Sequence, residues 1–81
     1  MIQLYMRSDC PFCIKVKNAV QQMGLKEGSD YEIINAAQGT PGRAVVIKVG
    51  GKEMVPFLID GDHSMYESSD IITYIKEKFL K

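Results

Sequence analysis

The sequence predicts an α/β fold in which a four-stranded mixed sheet is flanked by helices, with the element order β-α-β-α-β-β-α. The hydrophobic pattern alternates between strand-like and helix-like periods along the chain, and Pro and Gly punctuate the periodic segments. A further observation is size, since 81 residues with 46% hydrophobic and 25% charged side chains suit one small globular domain. We therefore expect a single domain over residues 1–81.

The first half of the chain predicts a strand, a helix and a second strand. Residues 2–6 alternate with aromatic and branched side chains, and Pro11 suits the first turn of a helix that continues to about residue 23. Four apolar residues share one face of this helix: Cys13, Val16, Val20 and Met23. Residues 31–35 form the next strand, and a right-handed crossover of this kind joins parallel strands.

A second helix and a hairpin follow. Thr40 and Pro41 suit the cap and first turn of a helix that reaches about residue 49, where two glycines end it. Residues 55–59 form a buried-looking strand. An Asp-Gly-Asp turn then predicts a hairpin with a short antiparallel strand over residues 64–66.

The last helix is predicted to begin near Ser68 or Ser69. Either hydroxyl can cap the helix, and Asp70 in the first turn favours the positive end of the helix dipole. The apolar stripe of this helix is predicted to consist of Ile71, Ile72, Ile75 and Phe79.

Composition excludes several classes of function. The formal net charge is zero, which removes the usual electrostatic argument for a nucleic acid or an anionic membrane as partner. No stretch approaches the roughly 18 apolar residues that a membrane span needs. The N-terminus lacks a basic start followed by a long apolar run, so we expect no signal peptide and a cytoplasmic protein.

The two cysteines, Cys10 and Cys13, are too close together to serve as a structural staple. In the chain-entropy model a four-residue loop gains about 2 kcal/mol, against about 3 kcal/mol for fifteen residues. A C-x-x-C motif between a strand and a helix is instead typical of a redox centre. Two alternatives remain: an inert pair of buried thiols, or a zinc site. The zinc site could add only His63, which we expect in a solvent-facing turn, and would still lack a fourth ligand.

Position assigns different roles to the two thiols. Cys10 lies at a helix N-terminus, where unpaired N–H groups and the helix dipole favour a thiolate. The dipole contributes only about 0.3–1 kcal/mol, so we expect further help from first-turn amides, the Cys13 thiol and the charge of Arg7. Cys13 belongs to the core-facing stripe and should ionise less readily. Cys10 is therefore the predicted nucleophile and Cys13 its resolving partner.

The chain resembles glutaredoxins from residue 2 to about residue 79. That family carries C-P-[YF]-C after its first strand, a basic residue three positions before the nucleophile, and a Val-Pro pair at the third strand. Here these are Cys10-Pro11-Phe12-Cys13, Arg7 and Val55-Pro56. The absence of Trp separates the chain from most thioredoxins. The resemblance implies a thioredoxin-like (glutaredoxin) fold.

The resemblance also implies a glutathione site. It implies that Pro56 is cis and that Val55 offers its backbone to the cysteinyl part of glutathione, as an added strand would. Glu67 and Ser68 depart from the glutaredoxin pattern and are more similar to the Glu-Ser pair of the N-terminal domain of glutathione transferases. In that domain a helix N-terminus and a hydroxyl receive the γ-glutamyl carboxylate of glutathione. The resemblance implies this role for Glu67 and Ser68 here, with Ser69 and Asp70 as neighbouring candidates.

Several further residues are weaker candidates for this site. Arg7 is predicted to pair with the glycyl carboxylate, with Gln38 or Arg43 as alternatives, although a solvated helix position is the favoured interpretation of Arg43. Phe12 and Tyr5 are candidates to shield one side of the site, and core packing explains Tyr5 equally well.

The resemblance implies an enzyme that reduces protein disulfides and glutathione mixed disulfides. Glutathione would be its co-substrate, without a tightly bound cofactor or metal. Its partners would be disulfide-bonded or glutathionylated proteins, and we expect a monomer. Three alternatives remain. One is a glutathione transferase, for which a chain ending at residue 81 leaves no room for a second, helical domain. The others are an iron–sulfur carrier using Cys10 and glutathione, and a glutaredoxin-like protein reduced by thioredoxin reductase.

Overall fold

The computed structural model describes residues 2–79 and confirms the predicted order of elements. They are β1 (Ile2–Met6), α1 (Pro11–Gln22), β2 (Tyr31–Asn35), α2 (Pro41–Gly50), β3 (Phe57–Asp60), β4 (His63–Tyr66) and α3 (Ser68–Phe79). Among the helices of residues 2–79, none combines the length and the hydropathy that a membrane-spanning helix requires.

The four strands form one mixed sheet in the order β2-β1-β3-β4. β1 and β2 are parallel, with Ile2 opposite Tyr31, whereas β3 is antiparallel to both β1 and β4. The end of β1, the start of β3 and the end of β4 therefore share one edge of the sheet. The segments that continue from these strand ends are brought together at that edge.

The sheet separates two hydrophobic clusters, because alternate residues of a strand point to opposite faces. On one face, Leu4 and Met6 of β1 pack with residues of α1 and α3. On the other, Tyr5 packs with Phe57 and Val46, the latter from α2. Leu4 and Phe57 are fully buried, and burial of such a side chain contributes about 1.5–3 kcal/mol.

Strand boundaries differ from the prediction at the hairpin. The third strand begins at Phe57 and not at residue 55, because Pro56 has no N–H group to donate to a ladder. The fourth strand includes His63, which pairs opposite Asp60. His63 is exposed as expected, but it lies in a strand and stacks on Tyr74 with 4.7 Å between ring centroids.

The prediction of a solvated Arg43 is wrong. Arg43 is only 9% exposed, and its Nε–H donates to the Ala36 carbonyl at 2.8 Å. The cause is the close approach of α2 to β2, since a Cβ on Gly42 would lie 2.1 Å from the Asn35 carbonyl oxygen. This proximity brings Arg43 over the residue that follows β2.

Candidate functional site

Cys10 occupies the N-cap position of α1. Its backbone is extended (φ −92°, ψ 120°), Pro11 fills the first helical position, and the Cys10 carbonyl accepts from the Ile14 N–H at 3.0 Å. The Cys10 thiol makes no capping hydrogen bond to the backbone of α1. The amides of Phe12 and Cys13 are nevertheless near enough to stabilise negative charge on the sulfur.

Opposing influences act on the acidity of Cys10. Partial burial is the largest and would raise the pKa of the thiol. The Cys13 amide and thiol, the Phe12 amide and the charge of Arg7 together outweigh it, so the pKa of Cys10 is lowered from its ordinary value. Hydrogen bonding to a thiolate and a nearby cation both favour the charged form.

Cys13 has the opposite character. It is 1% exposed, and burial is the main reason why its pKa is raised to about 11, with the neighbouring Cys10 adding to the rise. The Arg7 N–H donates to the Cys13 sulfur at 3.4 Å and acts in the other direction. Both thiols are free. Cys10 is therefore the acidic, half-buried member of the pair and Cys13 the buried, protonated one.

Arg7 follows β1 and lies beside both thiols. Its side chain is 41% exposed and pairs with Asp9 at 2.9 Å, an ion pair that contributes little where it is exposed to water. A cleft of about 390 Å³ opens next to Arg7 on the Cys13 side, between α1 and the ends of β1 and β2. Sequence reasoning missed three of its polar lining residues, Ser8, Lys17 and Asn35. Helical spacing could have identified Lys17, because it lies one turn after Cys13 in α1.

Val55 and Pro56 lie at the same edge of the sheet. Their peptide bond is cis, as the resemblance implied. Val55 is half-buried, and both Val55 and Cys10 pack against the core cluster on the α1 face. Within residues 2–79, no backbone–backbone hydrogen bond engages the N–H or carbonyl of Val55. Its backbone is therefore available to a ligand.

Glu67 and Ser68 start α3 at the end of β4. The Glu67 carbonyl accepts from the Ile71 N–H at 2.9 Å, so Glu67 directly precedes the helix. Glu67 has a φ of 73°, in the left-handed region that is unusual for a residue with a side chain. Ser68 is buried at 7% exposure, and the Ser69 hydroxyl is 3.3 Å from Lys15 Nζ on α1.

The remaining candidates differ in whether they lie at this edge of the sheet. Phe12 is 61% exposed in the first turn of α1, beside Cys10. Tyr5 belongs to the cluster on the opposite, α2 face, with its ring 6.0 Å from that of Phe57, so core packing accounts for it. The guanidinium of Arg43 is engaged by Ala36 and lies 3.6 Å from Glu53. Gln38 is exposed in the loop before α2.

The sheet order, the N-cap thiol and the cis-proline segment define the thioredoxin-like class of fold. Residues 4–80 match the family described as glutathione S-transferase, N-terminal domain. The chain belongs to this family. A search of curated proteins returned no match.

Solved structures with the same fold come from both glutathione transferases and a glutaredoxin. Human glutathione S-transferase T1-1 has 21% identity and a TM-score of 0.81, over 99% of this chain and 33% of that one. Glutaredoxin 2 from Salmonella typhimurium in complex with glutathione has 25% identity and a TM-score of 0.78, over 96% and 34%. A silkworm (Bombyx mori) glutathione S-transferase has 25% identity and a TM-score of 0.79, over 98% and 38%. The chain thus spans about a third of these proteins' length.

Proposed function

We propose that the chain is a glutathione-dependent thiol–disulfide oxidoreductase of the glutaredoxin type. Cys10 is the nucleophile and Cys13 resolves mixed disulfides. One observation carries the proposal: of two thiols in the first turn of α1, the half-buried one has a lowered pKa and the buried one a raised pKa. The thiolate is the attacking species in disulfide exchange, so this difference determines which sulfur attacks.

With a glutathione mixed disulfide, the Cys10 thiolate attacks the glutathione sulfur. A bond forms between these two sulfurs, the original disulfide breaks, and the other thiolate leaves and takes up a proton. A second glutathione thiolate then attacks the glutathione sulfur bonded to Cys10. The products are glutathione disulfide and the Cys10 thiolate, so two electrons from glutathione reduce one disulfide.

With a protein disulfide, Cys13 completes the reaction. Cys10 first attacks one sulfur of the substrate disulfide, and the other substrate sulfur leaves and takes up a proton. Cys10 is then held in a mixed disulfide and has lost its negative charge. The contribution of Cys10 to the raised pKa of Cys13 then disappears, while the Arg7 N–H still favours a Cys13 thiolate. Cys13 loses its proton and attacks Cys10, the substrate sulfur bonded to Cys10 leaves as a thiol, and a Cys10–Cys13 disulfide forms. Glutathione reduces this disulfide in two further exchanges.

Glutathione is proposed to bind along the shared edge of the sheet. The unengaged backbone of Val55 would pair with its cysteinyl part, beside Pro56 and Phe12. Ser68 and the first amides of α3 suit the γ-glutamyl carboxylate, because a helix N-terminus attracts anions. The Glu67 carboxylate would pair with the γ-glutamyl ammonium, and Arg7 with the glycyl carboxylate.

Two variants test the proposal in a glutathione-coupled turnover assay. Cys10→Ser should abolish reduction of a glutathionylated peptide, whereas Cys13→Ser should retain it, because glutathione itself resolves that intermediate. Cys13→Ser should lose activity toward an intramolecular protein disulfide. Activity of Cys10→Ser on either substrate would contradict the proposal. Exchanging glutathione for thioredoxin reductase in the same assay identifies the electron donor.

Glutathione conjugation is a second candidate because the matching family is that of glutathione transferases. Conjugation needs a group that stabilises the thiolate of glutathione without reacting with it. In the proposed binding mode, the acidic thiol of Cys10 would lie beside the cysteinyl sulfur of glutathione. We therefore expect disulfide exchange to outcompete conjugation, and no turnover with an aromatic electrophile. Conjugation that survives in Cys10→Ser would favour the transferase.

The proposed partners are glutathione and disulfide-bonded or glutathionylated proteins. We propose that the chain acts as a cytoplasmic monomer. A net charge of zero provides no attraction toward nucleic acid or anionic lipid. Sedimentation velocity with and without glutathione measures the oligomeric state, and a concentration-dependent dimer would contradict the monomer.

A further inference from the structure

The Tyr66 hydroxyl holds the chain segment between α2 and β3. It accepts from the Lys52 N–H at 3.0 Å and lies within donating distance of the carbonyls of Lys52, at 2.7 Å, and Val46, at 3.2 Å. The ring packs on Phe57 with centroids 4.6 Å apart. Gly50 leaves the space for this arrangement, because a Cβ there would lie 2.2 Å from the hydroxyl oxygen.

The segment that Tyr66 holds has little other support. No backbone–backbone hydrogen bond engages residues 52–56 in the part of the chain that the structure describes. Besides the Tyr66 hydroxyl at Lys52, the segment has the Glu53 ion pair with Arg43 at 3.6 Å and the packing of Val55 and Pro56 into the core. This short stretch carries the backbone that the proposed function assigns to glutathione.

Tyr66 is also next to the other half of the proposed site. It lies opposite Phe57 in the β3–β4 pairing, and Glu67 and Ser68 follow it directly. Its backbone is therefore continuous with the turn that starts α3, while its hydroxyl is bonded to the segment that leads to Val55. One side chain thus joins the two segments between which glutathione would lie.

We infer that Tyr66 is a positioning residue that sets the spacing between the Val55 backbone and the Glu67–Ser68 turn. This inference rests on the proposed function for its consequence, a lower KM for glutathione. Tyr66 makes no contribution to the pKa of either thiol. Its effect should therefore fall on glutathione binding and leave the reactivity of Cys10 unchanged.

The test compares Tyr66→Phe with Tyr74→Phe. Each variant removes one hydrogen-bonded hydroxyl, but the Tyr74 hydroxyl bonds Asp60 at 2.5 Å, at the opposite end of the hairpin. Tyr66→Phe should raise the KM for glutathione about three- to tenfold, the equivalent of one or two net hydrogen bonds. The turnover at saturating glutathione and the pH profile of Cys10 alkylation should not change. Tyr74→Phe should change none of these.

Amide hydrogen exchange provides a readout independent of glutathione. In the wild type, the Lys52 amide should exchange at least about tenfold more slowly than the Glu53 amide, because a hydrogen-bonded amide must open to exchange. Tyr66→Phe should remove that protection, and Tyr74→Phe should keep it. Equal exchange at Lys52 and Glu53 in the wild type would overturn the inference, even if the variant failed to fold.

The two proposals fail in different ways. A loosened segment in Tyr66→Phe with an unchanged KM would overturn the positioning role and leave the enzyme assignment intact. A wild type without glutathione-dependent turnover would overturn the proposed function and with it the glutathione role of Tyr66. The exchange rates would then still decide whether the hydroxyl holds the segment.

Discussion

The acidity of Cys13 makes a quantitative prediction about stability at high pH. Burial raises the pKa of this thiol in the folded state to about 11 from an ordinary value of 9.0. Between these values an unfolded chain loses the Cys13 proton while the folded chain keeps it. The free energy of unfolding decreases as the pH rises wherever the folded state binds more protons than the unfolded state. The stabilisation that comes from the protonated Cys13 thiol is therefore fully present below pH 9 and is lost as the pH rises toward 11.

The magnitude follows from the difference between the two pKa values. About two pH units at about 1.36 kcal/mol each correspond to about 2.7 kcal/mol, an upper value for one site. Cys13→Ala cannot ionise at this position, so the stability gap between wild type and variant should narrow by up to that amount between pH 9 and 11. Tyr and Lys ionisation is common to both proteins and cancels. The pKa of Cys10 is lowered from 9.0 in the folded state, so the contribution of Cys10 to the pH dependence of stability falls mainly below pH 9, outside this window.

Urea denaturation of both proteins, under excess reductant at half-unit steps from pH 7 to 11, measures this gap. Curves that converge above pH 9 would support a Cys13 held protonated by burial. Parallel curves from pH 9 to 11 would refute the reasoning, because Cys13 would then ionise equally in both states. The proposed division of roles between the two thiols would lose its physical basis.

Three further predictions concern the same site and its support. The pH profile of Cys10 alkylation by iodoacetamide should have a midpoint below pH 9. Cys13→Ala should shift this midpoint upward, since the Cys13 thiol lowers the Cys10 pKa. An unchanged midpoint would mean that the Cys13 thiol does not stabilise the Cys10 thiolate. Arg7→Gln should shift the midpoint less than Cys13→Ala, because the charge is the smallest of the influences on Cys10, while raising the KM for glutathione; the reverse order would contradict this. Gly42→Ala should lower the free energy of unfolding, measured in urea, by about 1–3 kcal/mol. Although Ala has the better helix propensity, the new Cβ would lie 2.1 Å from the Asn35 carbonyl oxygen. Equal or greater stability would mean that α2 can move away from β2.

The sequence alone predicted the secondary-structure elements and the redox-type thiol pair, because both depend on local sequence patterns. The helix-spaced stripe that contains Cys13 and Val16 is buried in the structure, and the C-x-x-C motif lies between β1 and α1 as expected. The third strand was predicted two residues too early, since apolar content alone does not reveal that Pro56 interrupts the ladder.

The remaining features depend on tertiary contacts that no local pattern encodes. Arg43 is buried because α2 packs very close to the backbone of β2. Gly42 permits this close approach, but a glycine at this position does not by itself predict it. The bonds of the Tyr66 hydroxyl reach residues 14 and 20 positions away. The left-handed backbone of Glu67 belongs to a residue that normally avoids it. Such backbone outliers concentrate at functional sites, and this one borders the proposed glutathione groove.

The topology explains why the residues of the proposed site meet at one edge of the sheet. β1 ends there and leads to Cys10, β3 begins there after Val55, and β4 ends there before Glu67. A frame of this kind could serve conjugation as well as disulfide exchange, because both require glutathione to lie across the same edge. What separates the two chemistries is the group at the N-cap of α1. A side chain that only donates a hydrogen bond would leave the glutathione sulfur free, whereas in the proposed function the acidic thiol of Cys10 forms a bond to it.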